Sequence, residues 1–215
     1  MYKLILFDFD GTLLDSDQML VVTFKQLYEK YKPDFHPSDD YILKFSGPQI
    51  VDTLKQEFPD LDQKMMFDEW VKYSTENYIK TTKLFPYVKE MLVSFKKNHV
   101  KYGLITSKAR AATDFAIKLV GLDGLLDFSI TASEVNNFKP DPEGIFLAMK
   151  HFNVLNKEEV LYVGDGIYDY ETAKNAGVKF GYVTFSPRKL DPNSKIDVLI
   201  HSFKEFEKEI INEKL

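Results

Sequence analysis

Six short apolar runs recur along the chain, and each stops at a loop rich in Asp, Ser, Thr or Gly. They are Leu4 to Phe7, Tyr102 to Thr106, Phe128 to Thr131, Val160 to Val163, Phe180 to Phe185 and Val198 to Ile200. A run that is apolar throughout reads as a strand buried on both faces, because a strand with one wet face would alternate. Segments with helical spacing lie between them: Tyr87 to Lys97, Ala109 to Val120, Pro142 to Phe152 and Tyr168 to Ala176. Strands alternating with helices predict an α/β fold, a parallel sheet covered by helices on both faces.

One stretch interrupts the alternation. From Ser16 to Thr82 the sequence offers only helix-like pieces, separated by Pro33, Pro37, Gly47-Pro48 and Pro59. The expected helices are Asp17 to Tyr31, Ser38 to Lys44, Pro48 to Phe58 with Pro48 at the first helical position, and Leu61 to Lys80. This predicts a core of residues 1–15 and 83–215, with residues 16–82 inserted as a small helical bundle. Met65, Met66 and Trp70 fall at helical spacing and read as its core. The charged run Lys204 to Lys214 reads as the solvated face of a final helix.

Composition narrows the function. With 215 residues, 44% hydrophobic and 14% aromatic, the chain can bury a core and a smaller second unit. The net charge of −5 includes no basic block, so the footprint of a nucleic-acid binder is missing, and a small anionic partner needs a local positive site. With no cysteine there is no disulfide, no thiolate nucleophile and no Cys-bound zinc. The apolar run at Leu4 to Phe7 is too short for a signal peptide or a membrane span, so a soluble cytoplasmic protein is expected, with no membrane partner. No heptad seam is visible, which points to a monomer.

In an open α/β sheet, ligands bind at the carboxyl ends of the strands, so the residues following each apolar run carry the chemistry. The first run ends in Asp8-Phe9-Asp10-Gly11, the second in Thr106-Ser107-Lys108, and the fourth in Gly164-Asp165-Gly166-Ile167-Tyr168-Asp169; Lys139 lies in the loop after the third. Gathered at one edge, Asp8, Asp10, Asp165 and Asp169 would repel one another unless a cation is present. Two unit charges about 4 Å apart interact by roughly 4 kcal/mol at an effective dielectric near 20. Oxygen ligands without His or Cys select a hard ion, and Mg²⁺ suits a site shared with a phosphate. Lys139, Thr106 and Ser107 would donate to phosphate oxygens, and Gly11 would let backbone amides approach the same anion. Thr106 and Ser107 would also cap the helix beginning near Lys108. Asp15 reads as structural, capping the first inserted helix or bonding the loop. The histidines His36, His99, His151 and His201 lie outside these loops and are assigned no role.

These residues resemble a known family. DFDGTLLDS is similar to the first motif of haloacid dehalogenase-type hydrolases, LITSK to the second, the Lys of FKPDP to the third, and VGDGIYDYETAKNAG to the fourth, in the family's order and spacing. The helical insertion sits where a subgroup carries a cap domain. The resemblance implies a Rossmann-like core and a phosphohydrolase. It implies that Asp8 attacks phosphorus and forms an aspartyl-phosphate, while Asp10 protonates the leaving oxygen and later activates water. Asp8, the backbone carbonyl of Asp10 and Asp165 would hold Mg²⁺; Asp169 would act through a water or orient Lys139. Thr106 and Lys139 would clamp the phosphoryl group.

Within the resemblance, dehalogenases and phosphonate-cleaving relatives lack the second Asp of the first motif, which is present here as Asp10. Mutases of the β-phosphoglucomutase type carry a His in the first cap helix, where this chain has Leu20. The stretch Phe45-Ser46-Gly47-Pro48-Gln49-Ile50 is similar to the FxGP segment of phosphoglycolate phosphatase-like and pyrophosphatase-like members. The substrate is therefore expected to be a small phosphorylated metabolite. Phosphoglycolate, a nucleotide, a sugar phosphate and pyrophosphate all stay open, as does the phosphomutase alternative. A non-catalytic binding protein is disfavoured, because Asp8, Asp10, Lys139 and Asp165 are all retained.

Overall fold

The computed structural model describes residues 2–212. Its contacts divide the chain into two compact units, one running up to Leu14 and resuming at Leu84, the other spanning Asp15–Lys83.

The first unit is built on six parallel strands: β1 (Leu4–Phe7), β4 (Tyr102–Ile105), β5 (Ser129–Ile130), β6 (Val160–Gly164), β7 (Lys179–Val183) and β8 (Val198–Ile200). Their order across the sheet is β5-β4-β1-β6-β7-β8, the doubly wound arrangement in which the chain works outward from β1 in both directions. The helices of this unit are α5 (Val88–Lys97), α6 (Arg110–Leu119), α7 (Glu143–Phe152), α8 (Ile167–Ala176) and α9 (Phe203–Asn212). Every residue of β1 is buried, and its side chains divide by period two. Leu4 and Leu6 join Ile145, Ala148, Met149, Ala173 and Ala176 from α7 and α8. Phe7 packs instead against Phe95 of α5 and against Phe203 and Phe206 of α9, with ring centroids 6.3–6.5 Å apart. The parallel sheet with helices on both faces is thus the one the apolar runs predict.

The inserted unit holds α1 (Asp17–Tyr31), α2 (Asp39–Leu43), α3 (Ile50–Glu57) and α4 (Gln63–Thr81). Phe24 is at its centre, fully buried, with ring centroids 4.7 Å from Phe45 and 5.0 Å from Trp70. The buried Glu57 carboxylate accepts from Tyr28 at 2.8 Å and from Tyr41 at 3.1 and 3.2 Å, which satisfies a charge the helices would otherwise strand. Asn77 Nδ2 donates to Thr23 Oγ1 at 3.0 Å and to Gln26 Oε1 at 2.7 Å, joining α4 to α1.

Local details differ from the sequence expectation. Pro48 does not open α3: Gln49 is still extended at ψ 132°, and the helix begins at Ile50. Asp15 does not cap α1, whose N-cap is Ser16; its carboxylate lies 3.5 Å from Lys83 Nζ. The chain passes between the units through two two-residue strands, β2 (Leu14–Asp15) and β3 (Lys83–Leu84), paired as a separate small sheet. Of the C-terminal charged run, Glu213 and Lys214 lie outside the described residues; α9 itself buries Phe203, Phe206 and Ile210. No helix among the described residues is long and apolar enough to cross a membrane.

Trp70 is the only tryptophan and reports on the inserted unit. Phe24→Ala should destabilise that unit by about 3–5 kcal/mol, the usual cost of emptying a buried Phe site, read as a lower urea midpoint of Trp70 fluorescence.

Candidate active site

The switch in sheet order sets β1 beside β6, and the residues that follow these strands meet. Phe7 is in register with Val163, and the Asp8 N–H donates to the Val163 carbonyl at 2.8 Å. Asp8 and Asp165 thus emerge side by side from neighbouring strand ends. Asp169, on the first turn of α8, turns back so that its Oδ2 accepts the backbone N–H of Asp165 at 3.2 Å and of Gly166 at 3.3 Å. A carboxylate there also suits the positive end of the helix. The approach requires Gly164, since a Cβ at that position would lie 2.3 Å from Asp169 Cβ.

Lys139 enters from the loop after β5. The Lys139–Pro140 peptide is cis, and Glu143 braces the loop by accepting the N–H groups of Asn136 and Asn137 at 2.9–3.1 Å. Lys139 Nζ donates to Asp8 Oδ1 at 2.6 Å and to Asp169 Oδ1 at 2.8 Å, and its side chain is only 6% exposed. Tyr162, inside β6, donates its hydroxyl to Asp169 Oδ1 at 3.0 Å. Burial raises the Asp8 carboxyl well above its ordinary value; Asp169 pushes the same way, and Lys139 opposes. Burial lowers Lys139, but Asp169 and Asp8 outweigh it and the ammonium is held charged.

Asp10 turns elsewhere. Its Oδ2 is 2.8 Å from Lys108 Nζ, while its Oδ1 is buried without a hydrogen-bond partner, as is the neighbouring Thr12 hydroxyl. Gly11 does not offer its amide to an anion, because that N–H donates to the Leu14 carbonyl at 2.7 Å. Its glycine character has another cause. With φ at +84°, a Cβ would sit 2.2 Å from Asp165 Oδ2 and 2.7 Å from Arg188 Nη1. Thr106 is buried at the end of β4, and its Oγ1 accepts the Lys108 N–H at 3.2 Å. Neither Thr106 nor Ser107 caps α6, which starts at Arg110 and donates that residue's N–H to Ser133 Oγ. Ser107 is partly exposed beside Thr106.

Asp8, Asp165 and Asp169 each present an oxygen within 4.8 Å of the others, all three buried. Counting Asp10, four carboxylates face three cations, Lys139, Lys108 and Arg188, so the cluster keeps a negative excess. An all-oxygen donor set with uncompensated charge fits a hard divalent cation. The open groove lined by Asn136, Asn137, Phe138 and Asn175 carries none of these carboxylates and is not this site. Sequence reasoning assigned no role to Lys108, Tyr162, Ser186 or Arg188. Lys108 stands at the end of the LITSK stretch, and Tyr162 is a hydroxyl inside an apolar strand that must find a partner; Ser186 and Arg188 carry no local signal.

The sequence profile described as haloacid dehalogenase-like hydrolase matches residues 5–183. The chain belongs to the haloacid dehalogenase-like hydrolases. It is an enzyme of the phosphatase kind within that family. Among curated relatives, pyrophosphatase PpaX of Halalkalibacterium halodurans is 30% identical over 187 residues, covering 87% of this chain and 86% of that protein. A solved Bacteroides fragilis protein assigned to the haloacid dehalogenase-like hydrolases superposes with a TM-score of 0.83 at 29% identity, covering 96% of this chain and all of that one. A Haemophilus somnus protein described as a predicted phosphoglycolate phosphatase shares the fold, with a TM-score of 0.79, 22% identity and coverage of 97% and 98%.

Two predictions test the framework around this hydrolase site. Gly11→Ala should cost about 1–2 kcal/mol from the left-handed backbone alone, measured by urea denaturation, and should cut turnover steeply because Asp165 and Arg188 must move. Glu134, on the loop leading to Lys139, accepts a two-point contact from Arg110 and the N–H and hydroxyl of Thr131. Arg110 first, then Thr131, hold its carboxyl down at about 2 against the opposing effect of burial. A depressed pKa stabilises fully above the unfolded value of 4.5, and the contribution is lost as pH falls toward about 2. Glu134→Gln should therefore flatten the dependence of the urea midpoint on pH across that window.

Proposed function

We propose that the chain is a Mg²⁺-dependent phosphohydrolase acting on a small phosphorylated metabolite through an aspartyl-phosphate on Asp8. The observation that carries this reading is the state of Asp10. One of its carboxylate oxygens is held by Lys108 and the other is buried and unpartnered, two residues from Asp8. A carboxyl group held on one side, with its other oxygen free of hydrogen bonds, is suited to exchange a proton with the leaving oxygen and then with water. Asp8 would attack phosphorus in line as the bond to the leaving oxygen breaks. Lys139, held between Asp8 and Asp169, would keep positive charge against the phosphoryl oxygens, with Thr106 and Ser107 as further donors. Mg²⁺, held by Asp8, the Asp10 backbone carbonyl and Asp165, would supply charge neutralisation on the phosphoryl group. Residues 16–82 would act as the cap that sets the leaving group. The reading takes the enzyme to work as a cytoplasmic monomer.

A second reading, pyrophosphate as substrate, is favoured by two observations. The PpaX relative is a pyrophosphatase, and Lys108, partly exposed beside Asp10, is a cation near the proposed proton donor that an anionic leaving group could meet. The mutase alternative loses support, because Leu20, at the position expected of its His, is packed in the core of the inserted unit.

Phosphate release should be measured with Mg²⁺ and with chelator across phosphoglycolate, pyrophosphate, nucleoside monophosphates, hexose phosphates and an aryl phosphate. Chelator-sensitive turnover is expected, and its substrate preference separates the two readings. Asp8→Asn keeps the shape and removes the nucleophilic charge, so it should lower turnover by several orders of magnitude with an unchanged circular dichroism spectrum. Normal turnover in that variant would defeat the covalent route.

A further inference from the structure

Asp165 is gripped by the loop that follows β7. Ser186 Oγ donates to Asp165 Oδ2 at 2.7 Å, and Arg188 Nη1 donates to the same oxygen at 2.6 Å. The two donors are themselves joined: Arg188 Nη1 lies 3.2 Å from Ser186 Oγ, which also accepts the Arg188 backbone N–H at 3.4 Å. The pair is dry, with side-chain exposures of 4% for Asp165 and 13% for Arg188.

The loop holds this geometry through anchors on both sides. Phe185 packs on Phe85 and Phe203, at centroid distances of 4.7 and 5.4 Å, and the Tyr182 hydroxyl donates to the Arg188 carbonyl at 2.5 Å. Gly11 lets the guanidinium come to the nucleophile loop, since a Cβ there would lie 2.7 Å from Arg188 Nη1. The chain also uses arginine sparingly. Of 28 basic residues, only Arg110 and Arg188 are arginines. Arg110 forms the two-point contact with Glu134, and Arg188 contacts one of the carboxylates offered to a metal. Arginine is always charged and weakly hydrated for a cation, so it tolerates a buried pairing that strips it of water.

We infer that Arg188 is a counter-cation built into the metal site, which neutralises Asp165 while no divalent ion is bound and opposes the ion when it arrives, whereas Ser186 orients Asp165 toward it. The inference rests on the metal-dependent reading of the site. Arg188 and Ser186 are positioning residues on one loop, but their effects on metal affinity have opposite signs. Removing the guanidinium removes a repelling charge, and removing the hydroxyl releases the carboxylate. The free site is thereby spared an uncompensated buried carboxylate, and the divalent ion binds more weakly than the carboxylates alone would allow.

The test uses the full chain and MgCl₂ alone, titrated by calorimetry at low ionic strength, so it needs no turnover. Arg188→Met should bind Mg²⁺ at least about tenfold more tightly than the wild type, from loss of charge repulsion at close range. Arg188→Lys keeps the charge and should bind far less tightly than Arg188→Met; Ser186→Ala should bind several-fold more weakly than the wild type. Should Arg188→Met fail to fold, the wild type still decides: with only two arginines, its Nε–Hε spectrum has two resonances to assign, and Mg²⁺ should shift that of Arg188 and leave that of Arg110 in place. An unmoved Arg188 resonance at saturating Mg²⁺, or equal or weaker binding by a folded Arg188→Met, overturns the inference. Absence of Mg²⁺ binding by the wild type itself sinks the metal-dependent reading beneath it, a result distinct from either.

Discussion

The rest of the site depends on a buried ammonium shared between two carboxylates. Lys139 reaches Asp8 and Asp169 with almost no exposure to water, and desolvation of all three groups works against the arrangement. Buried ion pairs seldom repay that cost in stability, so their retention is weak support for a structural role. What the arrangement provides is a fixed cation beside the Asp8 carboxylate. Asp169 serves both ends of it, holding Lys139 through one oxygen and the start of α8 through the other. Tyr162 then completes the coordination of Asp169 from within the sheet. Loss of Lys139 would leave two buried carboxylates without their shared cation.

The sheet makes this possible. The doubly wound order places β1 between β4 and β6, so the loops after all three strands open at one edge. Asp8, Thr106 and Asp165 are far apart in sequence but follow adjacent strands. Because β1 is buried on both faces, the backbone carrying Asp8 is held by Leu4 and Leu6 on one side and Phe7 on the other. Rigid support of this kind suits a reaction whose catalysis depends mainly on positioning and charge.

Much of the fold was legible because its strands are buried on both faces and write themselves as unbroken apolar runs. Leu4–Phe7 and Val198–Ile200 have the same limits in sequence and structure, and so does the helix Asp17–Tyr31. The strands β2 and β3 were not legible, since two residues carry no periodicity. Pro48 misled because its preference for a first helical turn yielded to an extended Gln49. In the candidate site, aspartates ending apolar runs stand out by contrast with what precedes them. Lys139 stood out only through its neighbours and its resemblance to a known motif, because a lysine ahead of a proline has no signature of its own. Arg188 sits in a polar loop where nothing local marks it, and its contact with Asp165 depends on how β7 and β6 lie together.

The inserted helices leave and rejoin the chain through β2 and β3, which are neighbours in one small sheet. An insert whose two ends are adjacent asks nothing of the strand order around it, whatever its length or contents. The fold therefore behaves as a socket. The segment plugged into it can be lengthened, shortened or replaced while the six-stranded platform keeps its wiring.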